Sequence, residues 1–336
     1  MDILKELPFI TVVIASRNEF NFIEKCLNSF LNQDYPKDKY EIFIYDANST
    51  DGTKEYLLEQ SKKQSNISIF SNPKLVQAYA WNLGFSISKA DFVVMMGAHS
   101  FVDSDFFKKN VKLLENYPYI ACVGGLVKAI GGDNKSNAIA LAFNNPFGVG
   151  NAKYRYSDTE CLVETINYGM YRKSMIDQVG PIDEKILRGQ DWEFNYRIVK
   201  KFGKMIFSPS IKVYYYARSN FRKLWKKQFD AGFWKIYIIK KHPKSLLFRH
   251  IIPLVFILTL FALFFISILT ANYLALIILI ILYILINIVY SFIIASSESY
   301  KLFFYLVFSF FIMHFAYGIG SIKGIYKFVF NAPPVK

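Results

Sequence analysis

Apolar and polar residues alternate along this chain in two regimes. In the first, short β-branched runs end in polar clusters, and each run is followed by a stretch with helical spacing. Phe9 to Ala15 reads FITVVIA, a buried-strand pattern, and ends in Ser16-Arg17-Asn18-Glu19. Ile23, Leu27, Phe30 and Leu31 then fall on one helical face. Tyr40 to Tyr45 (YEIFIY) is a second strand, closed by the turn-rich Asp46 to Thr53, and a helix is expected from about Lys54. Ile67 to Phe70 predicts a third strand and Val76 to Ser88 a helix. Phe92 to Met96 predicts a fourth strand, ending in Gly97-Ala98-His99-Ser100. Such alternation argues for an α/β domain built on a parallel sheet with helices on both faces. Ligands of such sheets bind outside the carboxyl ends of the strands. The polar residues there, Asn18 and Glu19, then Asp46, Asn48 and Asp51, then His99, are expected to converge on one site. Any one of these clusters alone would read as an ordinary polar loop.

From Leu126 to Glu160 the chain is rich in Gly and Asn, which predicts an irregular loop over the site. A helix near Ser174 to Val179 follows, then Gly180-Pro181-Ile182-Asp183-Glu184, then a helix opening at Gly189-Gln190-Asp191-Trp192-Glu193 and running to Lys200. The second regime begins at Ile251, where three apolar stretches close the chain: 251–269, 273–295 and 302–322. The first two are long enough to span a bilayer, with only Thr270-Ala271-Asn272 as a hairpin between them. Buried soluble helices are the alternative, disfavoured by such uninterrupted apolar length. The third stretch carries His314, Gly318 and Gly320 and is the weakest span of the three.

Charge sharpens this division. The formal net charge of the 336 residues is +14, and the excess is local. Arg218, Arg222, Lys223, Lys226, Lys227, Lys235, Lys240, Lys241, Lys244 and Arg249 face one acid, Asp230, immediately before the first apolar stretch. Basic residues flank spans on the cytoplasmic side and meet anionic headgroups there. Aromatic residues interleave the cluster, as at a membrane interface; a nucleic-acid partner is disfavoured because the cluster abuts a span. Cys26, Cys122 and Cys161 are odd in number and widely spaced, which disfavours a disulfide framework and offers no metal spacing. MDILKELPFI lacks the pattern of a signal peptide, so residues 1–250 are expected in the cytoplasm.

Four segments, in order, resemble family 2 glycosyltransferases of the GT-A fold, over about residues 8–232. They are Pro8 to Glu19 (PFITVVIASRNE), Asp46 to Thr53 (DANSTDGT), Asn167 to Glu184 (NYGMYRKSMIDQVGPIDE) and Gln190 to Arg197 (QDWEFNYR). Within the family the chain looks closest to succinoglycan-type β-glycosyltransferases, which act on lipid carriers. The resemblance implies that Ala15, Glu19, Asp46 and Asp51 line the nucleotide pocket and that Asp191 is the general base. It also implies that Gly169, Arg172, Gln190 and Gln228 belong to the donor and acceptor site. Sugar transfer needs such groups: a base for the acceptor hydroxyl, positive charge at the leaving diphosphate, and a held nucleoside. For Asp191 a helix N-cap remains the competing role.

Two departures matter. The family's Asp-x-Asp or Asp-x-His after the fourth strand is Gly97-Ala98-His99 here. His99 stands at the metal-ligand position, so the resemblance implies a divalent cation, Mn²⁺ or Mg²⁺, with Mn²⁺ the better match for imidazole. The competing role for His99 is structural, and the lost carboxylate at Gly97 puts the ribose contact in doubt. Gln228 is followed by Phe229-Asp230-Ala231-Gly232 rather than the Arg-Trp of processive members, which argues against a processive polymerase.

The expected organisation is a GT-A catalytic domain over 1–217, a basic interfacial segment over 218–250, a transmembrane anchor of two or three helices over 251–322, and a basic tail over 323–336. The expected activity is inverting transfer from a UDP-linked donor to a membrane-associated, lipid-linked saccharide. Transfer to polyprenyl phosphate itself, a non-catalytic sugar-nucleotide binder and a transporter subunit are the rivals. The tail's Lys323, Lys327 and Lys336 favour the cytoplasm, whereas three full spans would place it outside; a re-entrant third segment would reconcile the two.

Overall fold

The computed structural model describes residues 6–217 and 220–331. Arg218 of the basic cluster, Lys336 of the tail and the first five residues of the expected non-signal N-terminus lie outside them. The chain divides into two compact units, Met1–Lys128 with Tyr156–Tyr215, and Ala129–Arg155 with Tyr216–Lys336.

The first unit is built on strands β1 (Ile10–Ser16), β2 (Tyr40–Asp46), β3 (Ile67–Ser71) and β4 (Phe92–Gly97), ordered β3-β2-β1-β4 and parallel throughout. Val12, Ile14, Ile42, Ile44 and Val94 are fully buried, which is why these runs are apolar at consecutive positions rather than alternating. Helices α1 (Phe20–Leu31), α2 (Thr53–Lys63) and α3 (Gln77–Ile87) make the crossovers. At Gly84 of α3 an added Cβ would stand 2.4 Å from Val13 Cγ1, so a glycine there lets the helix settle onto the sheet.

Only this half of the sheet is parallel. Beyond β4 the order continues β8 (Met170–Arg172), β6 (Cys122–Ile130), β9 (Met205–Tyr216) and β5 (Ser100–Val102), with β7 (Cys161–Val163) also on β9. The β4–β8, β6–β8, β5–β9 and β7–β9 pairings are antiparallel, so the sheet is mixed. Helices α4 (Phe106–Asn116), α7 (Lys173–Val179) and α8 (Gln190–Phe202) complete this unit.

The Gly- and Asn-rich stretch is not an irregular loop. It forms the end of β6, then α5 (Asn134–Phe143) and α6 (Pro146–Val149), and 129–155 belong to the second unit rather than to a continuous N-terminal domain. Asp133 caps α5 by accepting from Ser136 N at 2.7 Å, and Ser136 reciprocates toward the Asp133 N–H. The Asp133 carboxyl lies below its ordinary range because the Ser136 amide and hydroxyl bond its charged form.

The rest of the second unit comprises α9 (Phe221–Lys241), α10 (Phe248–Thr270), α11 (Leu274–Ser297) and α12 (Phe303–Ile325). Three segments, Phe248–Thr270, Leu274–Ser297 and Tyr300–Phe330, are long and apolar enough to cross a membrane. The third differs in its surroundings: 44% of its apolar window is buried, against 11% and 17% for the others. It runs as one unbroken helix with a terminal π turn (Tyr326–Phe330), not as a re-entrant segment. Its glycines explain the burial. A Cβ on Gly320 would lie 2.1 Å from Phe229 O, and one on Gly324 2.6 Å from Phe233 O. Glycine spacing of this kind brings helix backbones into contact where water supplies no hydrophobic drive. Gly320→Ala is therefore expected to destabilise the α9–α12 pair by about 1–3 kcal/mol through overpacking. A lowered thermal midpoint of the purified protein in detergent would register it; an unchanged midpoint would show that the helices separate freely.

Candidate active site

The register of the parallel strands sets the site. Ala15 pairs with Gly97 and Ser16 with Asp46, so the ends of β1, β2 and β4 lie side by side. The three polar clusters read from the sequence thus meet at one edge. The loops after β1 and β2 are zipped together. Asn18 N donates to Ser49 Oγ at 2.9 Å, Thr50 N to Asn18 Oδ1 at 2.9 Å, and Glu19 N to Thr53 Oγ1 at 3.0 Å. Asn18 and Asn48 both adopt positive φ (51° and 53°), which asparagine tolerates better than most residues.

Asp46 is 4% exposed and accepts from Ser49 N at 3.0 Å and Ser49 Oγ at 2.5 Å, which fixes its carboxylate at the carboxyl end of β2. Asp51 has a different setting. Its oxygens accept from Phe20 N, Thr53 N and Thr53 Oγ1, so it staples the β1 and β2 loops. Burial would raise its carboxyl, but these hydrogen bonds outweigh it and hold it below the ordinary value.

Glu19 Oε1 lies 2.9 Å from His99 Nδ1, with the two side chains 20% and 21% exposed. The His99 ring meets Tyr215 edge-on at 5.2 Å. Beside it, a Cβ on Gly97 would have His99 Cε1 at 3.6 Å and Gln77 Nε2 at 3.7 Å as ordinary neighbours. Gln77, first residue of α3, in turn accepts from Gln190 Nε2 at 2.9 Å. Two bonded pairs, Glu19–His99 and Gln77–Gln190, therefore lie beside Gly97, the second next to Asp191 in sequence. Sequence reasoning missed Gln77. An amide carries no titratable signal, and its one clue was its place at the helix start after β3.

Asp191 is the second residue of α8. Gly189, at φ 81°, occupies the N-cap, so the competing capping role does not hold. Asp191 Oδ1 accepts from Trp192 N at 2.9 Å, and Oδ2 accepts no hydrogen bond among the described residues. Behind it, buried Glu193 holds Arg197 Nε at 3.0 Å, while Arg197 donates to Val179 O and Pro181 O. That pair fixes the start of α8 against the Gly180–Pro181 turn. Tyr171 donates to Asn195 Oδ1 at 2.7 Å from beneath, and burial pushes its hydroxyl well above the ordinary phenol range.

Two expected site residues of the first unit, Arg172 and Gly169, are placed elsewhere, and a third, Gln228, belongs to the second unit. Arg172 pairs with Phe92, at the far end of β4 from Gly97. Its guanidinium donates to the carbonyls of Ile120, Leu114 and Tyr117, so it braces the turn after α4. Gly169 is buried under Cys122, whose Sγ would stand 2.6 Å from an added Cβ; its smallness serves strand packing. Gln228 is buried in α9, in the second unit.

The donor set admits a divalent cation. An imidazole and a carboxylate 2.9 Å apart suit Mn²⁺ in ligand type, and the Nδ1 contact leaves Nε2 as the ring's other donor atom. No cluster of three or more His, Cys, Asp or Glu with metal-binding geometry occurs among the described residues.

The profile described as Glycosyl transferase family 2 matches residues 11–180. The chain belongs to this family. It is a glycosyltransferase that uses a nucleotide sugar, with a GT-A-like mixed sheet and candidate membrane helices. A Methanococcus voltae protein named dolichyl N-acetyl-alpha-D-glucosaminyl phosphate 3-beta-D-2,3-diacetamido-2,3-dideoxy-beta-D-glucuronosyltransferase is 34% identical over 242 residues, 70% of this chain and 75% of that protein. Succinoglycan biosynthesis protein ExoA of Rhizobium meliloti (strain 1021) is 24% identical over 247 residues, covering 72% and 74% of the two chains. Among solved structures, the mannosyltransferase PcManGT from Pyrobaculum calidifontis, in complex with GDP-Man and Mn²⁺, shares the fold. Its TM-score is 0.64 at 14% identity, over 96% of this chain and 89% of that one.

Proposed function

We propose that this family 2 glycosyltransferase transfers a sugar, with inversion, from a UDP-linked donor to a lipid-linked saccharide on the cytoplasmic face of a membrane. The observation that carries the reading is the convergence of Asp46, the Glu19–His99 pair and the Gln77–Gln190–Asp191 line at the carboxyl ends of β1, β2 and β4.

Asp46, pinned by Ser49, is a fixed acceptor for the donor's base, with Ala15 on the neighbouring strand one register position before it. Gln190, steadied by Gln77, presents Asp191 at the rim. Asp191 takes the proton of the acceptor hydroxyl as that oxygen bonds the anomeric carbon. The bond to the diphosphate breaks on the opposite face, which inverts an α-linked donor to a β-glycoside. His99, oriented by Glu19, would hold Mn²⁺ or Mg²⁺, which supplies positive charge to balance the leaving diphosphate. The acceptor assignment is supported by the membrane helices and by the Methanococcus relative, whose name gives a dolichyl-phosphate-linked sugar as its substrate.

The test is release of UDP by purified protein in detergent, across a panel of UDP-sugars, with and without a lipid-linked saccharide. Release that needs the acceptor supports the reading. Equal release with polyprenyl phosphate as the sole acceptor would replace it, and binding without release would make the chain a sugar-nucleotide binder.

Orientation has a built-in reporter. Cys26 and Cys122 are buried, and burial pushes both thiols up, whereas Cys161 is half-exposed in the first unit. In intact cells Cys161 is expected to resist an impermeant maleimide until the membrane is permeabilised, while a cysteine placed at Ala271 reacts from outside. Labelling of Cys161 in sealed cells would reverse the topology.

A further inference from the structure

Helix α8 carries an aromatic pair beside the proposed base that the transfer chemistry does not use. Trp192 and Tyr196 lie one turn apart, with ring centroids 6.4 Å apart and planes inclined by 19°, so the rings are stacked. A helix turns about 100° per residue, which sets the two on one face, only about 40° apart. Both are half-buried: the protein holds part of each ring and leaves part to solvent. They stand apart from the buried face of the helix, formed by Gln190, Glu193, Phe194, Asn195 and Ile198. Trp81, the other tryptophan of the first unit, is buried in α3. Stacking of residues four apart supports a helix on its own account, but it does not call for two large rings kept partly in water next to Asp191.

The mount of the pair is rigid. Asn195 is fully buried and donates from Nδ2 to Thr165 Oγ1 at 3.0 Å and to Ile166 O at 2.7 Å, while it accepts from the Tyr171 hydroxyl. The Glu193–Arg197 ion pair fixes the same two turns. Three successive residues at the start of α8 then divide the space around it. Gln190 is bonded to Gln77, beside Gly97 at the end of β4, which is the side proposed for the nucleotide-sugar donor. Each residue advances about 100° round the helix, so Asp191 stands between the direction of Gln190 and that of Trp192. A base that takes the proton of an attacking hydroxyl needs the donor on one side and the acceptor on the other. With Gln190 on the donor's side, the side of Trp192 is the acceptor's.

The chemistry of the pair suits a sugar. One face of a pyranose ring is a row of C–H groups, and its rim is hydroxyls. Those hydrogens are electropositive and meet the negative face of an aromatic ring, while the rim seeks polar groups around it. Asp191 lies at one end of the pair, and Lys200, which is exposed, follows one turn beyond Tyr196 at the other. Extent also selects the occupant. Two half-buried rings match a single sugar ring and fall far short of the roughly 800 Å² per partner of a stable protein contact. The candidate spans among the described residues all belong to the second unit, so the pair is not on a lipid-facing segment.

We propose that Trp192 and Tyr196 form a stacking subsite for the terminal sugar ring of the acceptor and turn one of its hydroxyls toward Asp191. The subsite rests on the saccharide-acceptor reading and adds to it the residues that hold the acceptor's sugar.

The test uses the full chain in detergent micelles with UDP present. Calorimetry follows binding of farnesyl phosphate and of its glucosyl, galactosyl, mannosyl and N-acetylglucosaminyl esters. At least one glycosyl ester is expected to bind about tenfold more tightly than farnesyl phosphate. Trp192→Ala should weaken that ester about tenfold and Tyr196→Ala about three- to tenfold, while farnesyl phosphate and UDP bind as they do to wild type. In acceptor-dependent UDP release the same loss should appear in the acceptor KM rather than in kcat, because stacking acts in the ground and transition states alike. Trp192→Phe keeps a flat ring and should stay within about threefold of wild type, whereas Trp192→Leu, apolar but not flat, should behave like the alanine variant. That comparison keeps the subsite testable if the alanine variant does not fold. Equal binding by the Phe and Leu variants would reduce Trp192 to apolar packing and overturn the subsite. So would a parallel loss of UDP or farnesyl phosphate affinity, or the lack of any advantage of a glycosyl ester in wild type. If wild type shows acceptor-dependent release and Trp192→Ala keeps its acceptor KM, the subsite falls and the transferase reading stands. If the glycosyl esters bind through Trp192 but none supports release by wild type, the transferase reading falls and the subsite stands as a sugar-binding surface.

Discussion

Asp191→Asn is expected to cut acceptor-dependent transfer by about 10²–10⁴-fold while leaving UDP binding nearly intact. The substitution keeps shape, volume and the Oδ1 contact with Trp192 N. It removes only the capacity to take a proton, through Oδ2, the oxygen that accepts no hydrogen bond among the described residues. Helix α8 should survive, because its cap is Gly189 and its anchor is the Glu193–Arg197 pair. The loss should appear in kcat and kcat/KM together, as for an interaction made only in the transition state. Retention of more than about a tenth of wild-type turnover would place the base elsewhere. A parallel loss of UDP affinity would instead show that Asp191 shapes the pocket.

Strands β1, β2 and β4 were legible because each is a buried run followed by a turn cluster, and burial on both faces demands that pattern; β3, at the sheet edge, is only partly buried and was read from its apolar residues alone. The antiparallel half was not. β7 and β8 are three residues each, and a three-residue strand has no period to read. The stretch from 126 to 160 misled for a different reason. Its glycines suggested a loop, yet Gly148 serves close packing: a Cβ there would lie 2.2 Å from Ala142 O and 3.0 Å from Met313 Cε. The signal that could have corrected the reading was the Asp133-x-x-Ser136 capping box. Phe147 stacks on Tyr290 at 4.6 Å, and His314 Nε2 lies 2.8 Å from Phe147 O, so the segment is ordered by partners more than 140 residues away in sequence. Long-range packing of that kind leaves no local trace.

The site was legible where chemistry selects a residue and illegible where geometry does. Glu19, Asp46, His99 and Asp191 are charged or titratable groups in turn segments, and each lies at the carboxyl ends of the strands or the start of α8. Gln77 bonds Gln190, the neighbour of Asp191 in sequence, through an amide, which no charge pattern predicts. Arg172 shows the converse: a motif arginine beside a strand end reads as a ligand, but the strand is antiparallel and delivers it to the opposite edge.

The Glu19–His99 contact gives the second large effect. His99→Ala is expected to abolish the strengthening of UDP binding by Mn²⁺ while leaving metal-free UDP binding nearly unchanged. Imidazole binds a metal through one nitrogen, and the hydrogen bond made by the other fixes the ring and its tautomer. An ionised Glu19 Oε1 2.9 Å from Nδ1 can only accept, which would place a proton on that nitrogen and leave Nε2 for the metal. Glu19→Gln should therefore keep the imidazole but weaken the Mn²⁺ effect by about 10–100-fold, as loss of a ligand's supporting hydrogen bond typically does. Gly97→Asp provides the opposite change. An added Cβ at 97 finds only ordinary contacts, at 3.6 Å or more, so a carboxylate can be installed beside His99 without displacing backbone. That variant should raise Mg²⁺-supported binding relative to Mn²⁺, because it adds a hard oxygen donor. Calorimetric titration of UDP with each metal, on wild type and the three variants, separates the cases. Equal Mn²⁺ enhancement in wild type and His99→Ala would leave His99 as a structural partner of Glu19. Enhancement lost in His99→Ala but kept in Glu19→Gln would keep the ligand and remove the orienting role from Glu19.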